Sequence, residues 1–374
     1  MNLQHKERIL SLDVFRGFTM TAMVLVNSQG TWDFVYPQLE HAEWNGWTFT
    51  DLIFPFFLFI VGISTAFSLH HREQQGDSHR TLMRKIFFRT FLLLLVGILK
   101  ENYPFYSLHN LQVTGVLQRI AVVYFFSSLS YLKSSVKTEL LVGGIILLIY
   151  WALLMLVPIP GGVPANLGPA TNLGAYLDRF LLSGHLYAKT AVWDPQGILS
   201  TLPAIVSGLT GVACGRWMQT DRNMTEKTVW MFVAGNIGLT IGIFWDFLFP
   251  INKNLWTSSY VVFTSGMSLI FFAMIYWIVD VKKIQWWTKP FVVYGMNALT
   301  AYVFTSVQGR TMKYLIFVTG EGGEKINLRK YLFDTYCFPY FTPMTASLVW
   351  AAGMVLLWLL IPWIFYHKKI FIKL

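Results

Sequence analysis

Ten predominantly apolar runs alternate with polar stretches along the chain, at residues 14–26, 47–69, 86–98, 114–132, 140–157, 198–217, 229–249, 258–279, 291–306 and 346–365. A helix needs about 20 such residues to cross a hydrocarbon core of about 30 Å. Only helices and closed barrels satisfy their backbone polar groups there, and these runs are too continuous for barrel strands. The pattern predicts an all-α fold: a polytopic integral membrane helix bundle of about ten transmembrane helices, one domain over residues 1–374 with no soluble part. The first two runs are not plain anchors. One opens with Asp13 and Arg16, the other with Asp51 and Pro55, so ionisable groups stand where a helix enters lipid. Such groups are costly there and mark functional sites.

Composition agrees with the pattern: 55% of residues are hydrophobic, 17% aromatic and 13% charged, with a mean hydropathy of +0.49. The formal net charge of +10 follows the loops between spans rather than a nucleic-acid footprint, and no nucleic-acid partner is expected. Short basic loops set orientation. Placing the amino terminus in the cytoplasm puts Lys133, Lys137, Arg216, Arg222, Lys227, Lys282, Lys283, Lys289, Lys368, Lys369 and Lys373 there too, so both termini are expected inside. The hydrophilic stretch at 70–85 falls on the same side. The start, with Lys6 and Arg8, resembles a signal-peptide n-region, but Arg16 interrupts the apolar part and no small-residue cleavage site follows Val26; a retained first helix is expected. Two long outer segments, 158–197 and 308–341, remain; the second contains GEGGEK, and the first is expected to cover the outer mouth. Cys214 and Cys337 fall near opposite sides and are not expected to pair.

Three groups of residues carry candidate chemistry. His41 is the single histidine in the loop between the first two runs, and antiparallel packing brings Asn27 and Asp51 toward it. A loop histidine is more often merely solvated, but a carboxylate orienting one ring nitrogen leaves the other as a base near neutral pH. Arg16, Arg89 and Arg119, with Gln118 beside the last, lie in or at the edge of spans. Pairing with Asp13 and snorkelling account for Arg16 as well as a ligand does. Arg119 lies well inside its helix and needs an anionic or carbonyl partner, and a phosphorylated cytoplasmic ligand suits the inner arginines. The third group is FPINKNLW with Asp246 one turn before it: Asn252, Lys253 and Asn254 suit sugar hydroxyls, and Trp256 either offers a stacking face or belongs to an interfacial belt. Asn297, polar within a span, can bond across helices.

SLDVFRG, the pair Val26–Asn27, HAEWNG, TDLIFPFFLFIVG, GVLQRI, DPQGILSTLP, FPINKNLWTSSYV and GMNALTAYV, in that order through nearly the whole chain, resemble the motifs of the heparan-α-glucosaminide N-acetyltransferase family. The resemblance implies a membrane enzyme that takes acetyl from cytoplasmic acetyl-CoA and delivers it to the amine of a glucosamine unit on the far side. It makes His41 the active histidine and Asn27 the nearby asparagine. Lysosomal members carry a further lumenal domain, which a chain opening on its first helix is expected to do without.

Together these readings make His41, Asn27 and Asp51 catalytic. They give Arg16, Arg89, Gln118, Arg119 and Asn297 to acetyl-CoA, and Trp44, Asn45, Asp246, Asn252, Lys253 and Asn254 to the amino-sugar acceptor, with no metal. The lipid bilayer, specifically a bacterial inner membrane, is the expected surrounding, and a homodimer is allowed. An amino-sugar permease is the competing class; it accounts for polar groups inside the bundle but has no need of His41 beside Asn27 and Asp51. The orientation is testable: Gln38→Cys is expected to react with an impermeant thiol reagent added outside intact cells and Gln75→Cys is not, whereas the reverse labelling overturns it.

Overall fold

The computed structural model describes residues 9–319 and 323–368; Lys6, Arg8, Lys369, Lys373 and residues 320–322 of GEGGEK lie outside the described residues. Helices α1 (Leu10–Asn27), α2 (Phe49–Gln74), α3 (His79–Asn102), α4 (Val116–Lys133) and α5 (Val136–Leu156) come first. A short helix α6 (Leu173–Leu181) precedes α7 (Ile198–Met218), α8 (Met224–Asp246) and α9 (Ser258–Tyr276), the last continuing through a π turn at Trp277–Val281. Then follow α10 (Lys289–Met296), α11 (Ala298–Tyr314), an antiparallel hairpin of β1 (Phe317–Thr319) and β2 (Lys325–Asn327), α12 (Leu328–Tyr336) and α13 (Pro343–His367).

Among the described residues, six helices are long and apolar enough to cross a membrane: α2, α5, α7, α8, α9 with its π turn, and α13. The expected count of about ten is therefore not reached on length and composition. Helices α1, α3 and α4 carry the ionisable and amide groups singled out above, which lower their hydropathy. The run at 291–306 is not one span but two helices, broken at Asn297 (φ −124°, ψ 33°). The segment 308–341 is likewise not all loop, since α11 continues to Tyr314 and the hairpin and α12 follow.

Burial separates a centre from a lipid-facing rim. The most apolar windows of α2 and α7 are 78% and 72% buried, against 22% and 17% for α8 and α13. The central pair packs backbone to backbone: a Cβ on Gly211 would lie 2.1 Å from Phe59 O, and one on Gly62 2.1 Å from Gly208 O. Without a hydrophobic drive between helices in lipid, small residues that permit such approach supply the contact. Gly144 on α5 has nothing within 4 Å of its would-be Cβ. Alanine gains up to about 1 kcal/mol of helix propensity over glycine, while overpacking costs about 1–3 kcal/mol. Gly211→Ala is thus expected to lower the unfolding temperature in detergent and Gly144→Ala to leave or raise it; equal responses would remove the close α2–α7 contact as a source of stability.

Candidate active site

The site is built on the first turn of α2. Thr48 and Asp51 form a capping box there, reciprocally satisfying backbone N–H groups that a helix start leaves free. Asp51 is 1% exposed, and its Oδ2 accepts the N–H of Ala42 at 3.0 Å and of Thr48 at 3.1 Å. Its Oδ1 lies 2.8 Å from His41 Nδ1 and 3.4 Å from Lys253 Nζ. Nδ1 therefore donates to Asp51, and Nε2 keeps its lone pair on a ring whose side chain is 52% exposed.

Lys253 Nζ is 2.9 Å from Nδ1 and 3.3 Å from Nε2. An in-plane atom at both distances would overlap Cε1, so the ammonium stands over the ring face and acts there through its charge. Partial burial holds the His41 imidazolium below its usual pKa, and Lys253 pushes the same way against the opposing pull of Asp51. His41 is thus neutral at physiological pH. Burial also lowers the pKa of Lys253, with Arg119 adding to the effect and Asp51 opposing it.

The segment from Asp246 to Thr257 is locked onto the His41 loop. Asp246 Oδ1 accepts Ile251 N–H at 2.5 Å, Gly46 N–H donates to Ile251 O at 2.7 Å, and Asn252 Nδ2 donates to Asn45 Oδ1 at 3.1 Å. Asn252 is fully buried and its Oδ1 accepts Leu255 N–H at 2.9 Å. Asn45, Asp246 and Asn252 thereby hold the turn that presents Lys253, while Asn254 stays partly exposed. Trp256 corrects one expectation. It is 1% exposed, edge-on to Phe54 and Tyr260, with Nε1 donating to Ser207 Oγ at 3.2 Å, so it offers no open stacking face.

The segment 158–197 covers this end, as expected. Trp44 Nε1 donates to Leu167 O at 2.8 Å and its ring meets Trp193 edge-on at 5.2 Å. Two carboxylates that sequence reasoning passed over brace the cover: Asp178 Oδ1 accepts the N–H of Ile198, at the start of α7, at 3.0 Å, and Asp194 Oδ1 accepts that of Gln196 within the segment at 2.8 Å. Burial pushes the Asp178 carboxyl up to about 6. The DPQG string was the only sign of Asp194, and Asp178 had none beyond its place in a short amphipathic stretch.

The remaining candidates are held by other contacts. Asn27 is exposed and donates to Met23 O at 2.9 Å, with no hydrogen bond to His41 or Asp51. Arg16 ties α1 to α2, its Nη2 donating to Ser64 Oγ at 2.7 Å and its Nη1 3.4 Å from Asp13. Arg89 is exposed, its guanidinium 4.8 Å from the Tyr124 ring centre. Asn297 is buried near α1, where a Cβ on neighbouring Gly295 would meet Asp13 O at 2.3 Å. Arg119 is at the His41 end instead, its guanidinium 4.9 Å over Trp256. Its Nη2 donates to Ser200 Oγ at 2.5 Å and Gly197 O at 3.3 Å, the carbonyl partner a buried arginine requires. Its Nε and Nη1, and both polar atoms of Gln118, are buried without hydrogen-bond partners. Gln118 and Arg119 line a cavity of about 790 Å³ between α3, α4, α5 and α7 that extends to Lys133, Ser134 and Glu139 at the opposite end. Both cysteines are free.

Residues 8–241, which include His41, Asp51 and Arg119, match the family "Heparan-alpha-glucosaminide N-acetyltransferase, catalytic". The human heparan-alpha-glucosaminide N-acetyltransferase is 32% identical over 98% of this chain and 60% of its own length; the mouse protein is 31% identical with the same coverage. The chain thus spans about 60% of the length of the curated relatives it matches.

The charge over the ring makes a signed prediction. Lys253→Gln removes a cation that repels the imidazolium, so the His41 titration followed by NMR is expected to move to higher pH. Asp51→Asn removes the opposing anion and is expected to move it lower. A His41 titration indifferent to Lys253→Gln would show that the ammonium does not act on the ring.

Proposed function

We propose, from the heparan-alpha-glucosaminide N-acetyltransferase catalytic family to which this chain belongs, that the protein is an integral membrane acyltransferase moving acetyl from cytoplasmic acetyl-CoA to the amine of a glucosamine-type acceptor beyond a bacterial inner membrane. The observation that carries this reading is the neutral, half-exposed His41 held by a buried Asp51. In this mechanism the acceptor nitrogen attacks the thioester carbonyl carbon while His41 Nε2 takes the proton it loses. The tetrahedral oxyanion collapses, the C–S bond breaks, and the departing thiolate recovers the proton from His41. Asn27, exposed with one amide N–H committed to Met23 O, has a second to offer the oxyanion.

The cavity supports a route for the coenzyme. Its walls are largely apolar, and its His41 end offers the unpartnered donors of Arg119 with the unpartnered amide of Gln118. That set matches the amide groups of a pantetheine arm, whose carbonyls accept and whose N–H groups donate. A thin arm threaded from the Lys133 end suits a nucleotide that stays on the far side, since its phosphates are too charged to cross lipid. The geometry favours this route over one past Arg16 and Arg89, which serve helix packing and a tyrosine face.

Positioned acid–base groups contribute about 10²- to 10⁴-fold and an oxyanion donor about 10²- to 10³-fold. His41→Ala is therefore expected to lose most turnover of acetyl-CoA with glucosamine, and Asn27→Ala about 10²- to 10³-fold, with acetyl-CoA still bound by both. Near-normal turnover in His41→Ala removes the assignment; sugar binding without turnover in the wild type returns the permease.

A further inference from the structure

In the proposed reaction an amine must reach the lone pair of His41 Nε2, and one primary amine of the chain stands beside that ring. Lys253 Nζ lies 3.3 Å from Nε2 over the ring face, so a rotation about its side-chain bonds carries it to the lone pair in the ring plane; the side chain is 17% exposed. It does not arrive on a loose loop, because buried Asn252 and Trp256 fix the turn on either side of it. The groups facing this pair come from several elements. Asp51 on α2 favours the ammonium, and Arg119 on α4 favours the neutral amine. Asp246 on α8 is committed to Ile251 N–H. Glu40 and Glu43 of the His41 loop form no hydrogen bond or ion pair with Lys253 among the described residues. Lys100 has a different setting: its side chain is 5% exposed and bonded to Glu101 at 2.6 Å and Tyr302 at 2.8 Å.

We propose that Lys253 is a site of self-acetylation: with acetyl-CoA bound and the acceptor absent, the acetyl group passes to Lys253 Nζ. This rests on the acetyltransferase reading above. The Lys253 ammonium first gives one proton to solvent; the neutral nitrogen then forms the new bond to the thioester carbonyl carbon, and His41 Nε2 takes the second proton that nitrogen loses. The C–S bond breaks, and the CoA thiolate leaves and recovers the proton from His41. The products are N-acetyl-lysine, free CoA and the proton given to solvent, so atoms and charge balance with no further reactant. The acetylated side chain no longer offers Asp51 a cation and occupies the position the acceptor amine needs, so modification switches the site off. An acceptor bound over His41 competes with it, which makes Lys253 a gauge of acceptor supply.

Purified protein in detergent is incubated with acetyl-CoA, with and without glucosamine, and its peptides are weighed. The expected result is one acetyl group on Lys253, absent in His41→Ala and reduced by glucosamine, with later turnover falling in proportion to the fraction modified. Lys253→Arg is expected to lose no activity on the same preincubation, relative to its own starting rate. An unmodified Lys253 in a sample that acetylates glucosamine overturns the proposal while leaving the acetyltransferase reading in place. Equal acetylation of Lys253 in His41→Ala, or of exposed Lys137 to the same extent, overturns it as ordinary chemical acetylation. Absence of both glucosamine turnover and modification removes the two readings together.

Discussion

The candidate site depends on one buried carboxylate. Asp51 accepts two loop N–H groups, orients His41 and holds Lys253 beside it, while its own carbonyl accepts the Tyr260 hydroxyl at 2.6 Å. The same side chain therefore starts helix α2, folds the loop before it and recruits α9. A charge so buried is tolerated only when it is multiply paired, and stripping one partner from such a pair costs about 3–5 kcal/mol. That cost is what fixes a half-exposed imidazole at the end of a bundle. The ring has freedom on its open edge and none on the edge that faces Asp51.

Packing below the site serves the same constraint. Helix α2 carries Asp51 at its first turn and meets α7 through glycines for much of its length, so the carboxylate stands on the least movable element of the bundle. Helix α7 begins under Asp178 and Asp194, and its first turn supplies the carbonyl and hydroxyl that hold Arg119. The rim helices α8 and α13 present apolar faces outward and reach the chemistry only through their ends. The turn after α8 is the exception that matters, since it delivers Lys253.

What the sequence disclosed follows from distance along the chain. His41 and Asp51 are ten residues apart across a helix start, so their meeting was legible from topology alone. Lys253 is 212 residues from His41; it was noticed as a polar group in a turn, but its place over the imidazole depends on three-dimensional closure. Trp256 was ambiguous because a tryptophan after a turn suits an interfacial belt as well as a core, and only packing shows it buried with φ at 53°. The break at Asn297 was not read from the sequence, since a single asparagine in an otherwise largely apolar run also suits a bond across helices and no proline marks the position. Ten apolar runs were read as about ten spans, yet among the described residues length and hydropathy support six, because polar groups dilute the others. Asn27 was read as converging on His41; one of its amide N–H groups is engaged with its own helix and the other is not.

The turn from Asn252 to Trp256 brings Lys253 to His41 and an indole to Arg119, and the surroundings of the two cations differ in kind. Lys253 has the Asp51 carboxylate at 3.4 Å, so its charge is met within the chain. Arg119 has a hydroxyl, a carbonyl and the indole face, while Nε and Nη1 have no hydrogen-bond partner. Leaving buried donors unmet costs about 1–3 kcal/mol each, and a fold built only for stability would remove them. Here they sit at one end of a cavity whose other end reaches Lys133 and Glu139. The unmet donors thus lie where a ligand threaded through the bundle would arrive, and the satisfied cation lies where its reacting group would be received.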